Sequence, residues 1–158
     1  FMEKITSFTI DHIKLQPGVY VSRKDPVGNE VITTFDLRMT SPNEEPVMNT
    51  AEMHTIEHLV ATYVRSSEMS DQVVYFGPMG CRTGFYLIMR DAVSHADAID
   101  LVKAAFAFAA DFEGDIPGAK QIECGNYLEH DLPGAKAEAA AYVRVLENVS
   151  VDTLTYPE

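Results

Sequence analysis

Basic residues are scarce in this chain of 158 residues: 12 lysines and arginines stand against 24 aspartates and glutamates, a formal charge of −12. That balance repels phosphate backbones and anionic lipid, which argues against nucleic acid and membranes as partners. Apolar runs of the roughly 20 residues needed for a spanning helix are missing, as is the basic, apolar and small-residue layout of a secretion signal, so the expected location is cytoplasmic. Phe1 precedes a methionine and reads as an added residue ahead of a natural start at Met2. Cysteine is limited to Cys81 and Cys124, and in a reducing compartment these are expected as free thiols rather than a disulfide. Repeats, low-complexity tracts and linkers are also lacking. Residues 2–158 are therefore expected to form a single domain, long enough to bury roughly 70% of the surface of the unfolded chain.

What is present begins with short-range alternation in SFTIDHIKL, a strand-like pattern, followed by GVYVSRK and EVITTFDLRM around the turn-forming DPVGN. This predicts a β-hairpin over residues 19–39. Asn49, with Glu52 three residues on, has the form of a capping box. Met53, Ile56, Leu59, Val60, Tyr63 and Val64 then recur at helical spacing. QVVYF and GFYLIMR read as strands joined by GPMGCRT, and the alanine-rich run from Ser94 to Phe112 as a helix. AKQIECGNYLEH is expected as a short helix and GAKAEAAAYVRVLENV as a longer one. Hairpins in place of regular strand–helix alternation predict an α+β fold of two layers, a mainly antiparallel sheet with helices packed on one face.

The chemistry concentrates in HTIEHL, residues 54–59. On a helix turning about 100° per residue, His58 lies roughly 40° round from His54, and Glu57 roughly 60° to the other side. Two imidazoles one turn apart can converge on an ion, and a carboxylate in the same turn can move protons beside it. The same H-x-x-E-H order marks inverted zinc peptidases, so peptide hydrolysis is one rival reading, and a structural metal domain is another. Cys124, in ECGNYLEHD, offers a soft third ligand, with His130 a weaker candidate. Three ligands leave an open position, whereas structural sites close with four. Cys81 sits in the glycine-flanked turn FGPMGCRTGFYL, where a thiol at the edge of a cleft can act as a base.

Taken together, SFTIDH at 7–12, FDLRM at 35–39, HTIEHL at 54–59, YVRS at 63–66, PMGCRTGFY at 78–86 and ECGNYLEHDLPGAK at 123–136 resemble the LuxS family, the S-ribosylhomocysteine lyases that make the autoinducer-2 precursor. The resemblance implies a carbon–sulfur lyase acting on a small molecule. It implies His54, His58 and Cys124 as ligands of one divalent metal per protomer, iron(II) expected and zinc possible. It further implies Glu57 and Cys81 as the acid–base pair, Ser7, His12, Arg38 and Arg65 along the substrate site, and a homodimer with both sites at the subunit interface. The chain departs from the family pattern at Tyr75, Phe76 and Gly77, where several family members carry an acidic residue and then serine.

Overall fold

A computed structural model describes residues 2–158; Phe1, read above as an added residue, lies outside the described residues. Strands β1 (Gly18–Val27) and β2 (Glu30–Arg38) form the expected hairpin, tightened at Gly28. Strands β3 (Val73–Pro78) and β4 (Gly84–Arg90) form a second one, and β4 pairs with β2, giving an antiparallel sheet of order β1-β2-β4-β3. Helices α1 (Thr50–Ser66), α2 (His95–Ala110) and α3 (Leu132–Leu146) complete the α+β fold.

Period-two alternation assigns the faces of the sheet. Phe35 and Leu37 of β2, with Phe85, Leu87 and Met89 of β4, pack into one core with Ile56, Leu59, Val60 and Val64 of α1, Phe106 of α2 and Tyr142 of α3. The other face carries Asp36 and Arg38, both buried, beneath the N- and C-terminal segments. Each helix start follows from its cap. The Asn49 side chain accepts from the Glu52 amide, and Glu52 accepts from the Asn49 amide, both at 2.8 Å. Ser94 caps α2. Asp131 caps α3 by accepting from Gly134, and Pro133 is tolerated in the first turn, so this helix begins before Gly134.

Two expectations fail. The SFTIDHIKL segment forms a 3-10 turn at Thr6–Phe8 and then an aspartate turn, in which Asp11 accepts from the Ile13 amide, rather than a strand. Residues 119–130 are a chain of turns, not a short helix. Ile122 and Leu128 are 94% and 80% exposed, so the segment has no apolar stripe to bury, and its conformation is set by contacts with α1. Among the described residues no helix is long and apolar enough to cross a membrane.

Candidate active site

The second and third turns of α1 present His54 and His58 on one side. His54 Nδ1 lies 2.8 Å from the carbonyl oxygen of Glu129, and His58 Nδ1 lies 2.8 Å from that of Pro117. A carbonyl only accepts, so in each ring Nδ1 donates and Nε2 keeps its lone pair. Both lone pairs converge on Cys124, whose Sγ is 3.4 Å from His54 Nε2 and 3.9 Å from His58 Nε2. Ligands at zinc-like bond lengths around a tetrahedral ion stand ~3.6 Å apart, so the donor set fits a divalent metal without rearrangement. The loop behind His58 approaches so closely that a side chain at Gly118 (φ +72°) would press on the imidazole; glycine is needed there for both reasons.

His130 belongs to the same cluster: one ligand atom from each of His54, His58, Cys124 and His130 lies within 4.8 Å of the others. Its ring stacks on His54 with centroids 4.1 Å apart. Its Nδ1 is 2.9 Å from Thr55 Oγ1, while its Nε2 is buried without a hydrogen-bond partner. Burial, and then the repulsion that protonated His54 or His58 would exert, lowers the His130 pKa and favours its neutral ring. Sequence reading ranked His130 below Cys124. Its position six residues after the cysteine was the available signal, but only the turns of residues 124–130 bring the ring onto α1. Glu57, half-buried, and His58 line a cavity of about 340 Å³ with Phe76, Pro117 and Gly118.

Cys81, Arg38, Ser7 and His12 gather elsewhere. They line a cavity of about 310 Å³ whose walls include Met79, Gly80 and Tyr86. His12 Nδ1 donates to the Ile10 carbonyl at 2.9 Å, which leaves Nε2 as an acceptor. Arg38, 2% exposed, holds Asp36 with two hydrogen bonds, of 3.1 and 2.6 Å, and donates to Thr83 Oγ1 at 2.9 Å. Burial works against its charge, but the bonds to Asp36 and the negative neighbours outweigh it and raise the pKa. Asp36 accepts a further bond of 2.6 Å from Tyr156, whose pKa is raised by burial and then by the Asp36 charge.

A family model for S-ribosylhomocysteinase (LuxS) matches residues 5–152. The chain belongs to the LuxS family. Its relatives include proteins named S-ribosylhomocysteine lyase from Clostridium acetobutylicum, 58% identical over 99% of this chain and 100% of the relative. A second is from Finegoldia magna, 55% identical over 99% and 100%, and a third from Phocaeicola vulgatus, 55% identical over 99% and 98%.

In this LuxS chain the two cavities share no lining residue. Glu57 and the histidine–cysteine cluster stand on one side, and Cys81, Arg38, Ser7 and His12 on the other. Arg65 joins neither: it lies eleven residues beyond His54, ~16 Å along the helix, and donates to the Val74 carbonyl at 3.1 Å. Tyr75 lines a further cavity of about 340 Å³ together with Ser7 and Tyr86, next to the thiol cavity. A Cβ at Gly77 would overlap the Tyr75 ring, so the tyrosine and the glycine are a matched pair.

Proposed function

We propose that the protein is a cytoplasmic, homodimeric S-ribosylhomocysteine lyase that releases homocysteine and 4,5-dihydroxy-2,3-pentanedione, the autoinducer-2 precursor, from a single catalytic domain. The observation that carries the reading is the pairing of a preorganised His54–His58–Cys124 cluster with a separate arginine-backed thiol in a LuxS chain. A peptidase has no use for that second thiol. The metal is iron(II) by expectation, with zinc compatible with the same imidazole and thiolate donors.

When bound, the ion supplies Lewis-acid polarisation of a carbonyl oxygen. The proton transfers belong to the chain. Cys81, as thiolate, removes the proton from the carbon beside the carbonyl of the opened sugar. Glu57 relays protons between the substrate oxygens and the neighbouring carbon. Two such rounds move the carbonyl from C1 to C3. Removal of the C4 proton then forms a C4–C5 double bond as the C5–S bond breaks, with its electron pair leaving on the homocysteine sulfur. The enol so formed loses its hydroxyl proton and takes one up at C5 to give the dione. Ser7 and His12 hold the substrate on the thiol side, and Arg38 adds positive charge there. Arg65 is assigned to substrate binding on family resemblance alone.

A dimer resolves the separation of the two half-sites by facing the metal cavity of one protomer with the thiol cavity of its partner. Exposed apolar side chains flank both halves: Phe8 and Ile13, 69% and 86% exposed, are near the thiol side in sequence, and Ile122 and Leu128 are near Cys124. The test of function is incubation with S-ribosylhomocysteine and a thiol reagent, read as free homocysteine.

A further inference from the structure

We propose that Thr83 is a positioning residue that holds Cys81 ready to ionise by donating its hydroxyl hydrogen to the sulfur. This rests on the reading of Cys81 as the base. The argument is one of donor and acceptor accounting. Cys81 Sγ lies 3.1 Å from Thr83 Oγ1, and Arg38 Nη1 lies 2.9 Å from the same oxygen. A guanidinium has only donors, so the Arg38 contact uses a lone pair of Thr83 and leaves its single hydrogen free. A hydroxyl polarised by a cation is a strengthened donor, and a thiolate can only accept, so ionisation of Cys81 fixes the direction of the bond toward sulfur.

The chain behind Thr83 is complete. Arg38 is locked by its two bonds to Asp36, and Asp36 by the Tyr156 hydroxyl. Thr83, Arg38 and Asp36 are 3%, 2% and 0% exposed, so the relay is shielded from water while Cys81 itself is exposed. The loop is fixed from both sides, with the Thr83 carbonyl accepting from the Met39 amide at 2.9 Å and the Arg82 carbonyl from the Met48 amide at 3.2 Å.

The charged and titratable groups around the sulfur come from every neighbouring element: Arg38 with Asp36 on β2, Arg82 on the thiol's own loop, His12 on the N-terminal segment, Tyr86 on β4 and Tyr156 behind Asp36. Asp36 offsets much of the Arg38 charge as felt at the sulfur. The Arg38 charge that remains acts on Cys81 directly and through the Thr83 hydroxyl, which touches both groups.

The experiment is a pH titration of the Cys81 thiolate in metal-loaded protein, by ultraviolet difference absorbance against a Cys81→Ala reference and by the pH dependence of alkylation with iodoacetamide. Thr83→Val is expected to raise the midpoint by about one pH unit, and Thr83→Ser to restore it, with metal content unchanged in both. Should the valine variant not fold, Thr83→Ala carries an expectation of the same sign, since any water that replaces the hydroxyl beside Arg38 is not fixed on the sulfur as the threonine side chain is. A midpoint in Thr83→Val or Thr83→Ala equal to that of the parent overturns the proposal and leaves the base assignment standing. Full turnover by Cys81→Ala would instead overturn the base assignment, whatever the Thr83 titrations give.

Discussion

Replacing Thr55 by valine, which keeps the shape and deletes the hydroxyl, probes how the metal cluster is held. Thr55 is completely buried on α1. Its Oγ1 is 3.1 Å from the Ala51 carbonyl, accepts from the Asp131 amide at 3.0 Å, and lies 2.9 Å from His130 Nδ1. The hydroxyl thus pins both the last residue of the metal-side loop and the cap of α3 to one point on α1. Valine leaves the Asp131 amide and His130 Nδ1 without partners. At ~1–3 kcal/mol for each buried group left unsatisfied, and with Asp131 only half-buried, the expected loss is ~2–4 kcal/mol of folding stability in the metal-free protein. His130, freed to tilt, no longer buttresses the His54 ring on which it stacks. Loss of such a supporting contact lowers metal affinity by ~10–100-fold. Urea denaturation of the metal-free protein reads the first effect, and competition with a chelator the second. Stability within ~0.5 kcal/mol of the parent together with unchanged affinity would refute the placement of Thr55 as the anchor.

The two cysteines are expected to fail differently. Cys124→Ala should lose metal and activity together, whereas Cys81→Ala should stay folded and metal-loaded while turnover drops by at least ~10²-fold; elemental analysis beside a turnover assay separates them. In alkaline solution, stability should decline through three tyrosines. Burial, and then the charge of Asp36, raises the pKa of Tyr20, Tyr142 and Tyr156. Unfolded tyrosine ionises near ~10, so the contribution is intact below that pH and falls above it, where the unfolded state binds fewer protons, by up to ~1.4 kcal/mol per pH unit per tyrosine. Tyr156→Phe should flatten that slope, as read by denaturation between mildly and strongly alkaline pH. Sedimentation equilibrium at micromolar concentration should give a dimer, and a fully active monomer would remove the shared-interface site.

Features set by local chemistry were legible before any coordinates. The Asn49–Glu52 box, the i, i+4 histidines and the alternation of β2 and β4 depend on neighbours a few residues away, and each occurs where the pattern put it. The segment around Cys124 was misread as helical because its conformation is dictated by distant partners: the Glu129 carbonyl on His54 and His130 on Thr55. The placement of His130 beside His54 depends on the same distant contacts. Thr83 gave no signal at all, because its significance lies in a bond from Arg38, 45 residues away in sequence. Arg38, expected along the substrate site, lines the thiol cavity with its guanidinium paired to Asp36.

The most direct test of the central claim is the reaction itself. Anaerobically purified protein, loaded with iron(II), is given S-ribosylhomocysteine and a thiol reagent, with Cys81→Ala run alongside. The account predicts free homocysteine accumulating to the amount of substrate supplied, and almost none from the variant. Absence of thiol release from fully metal-loaded, dimeric protein, or equal release by Cys81→Ala, would contradict it.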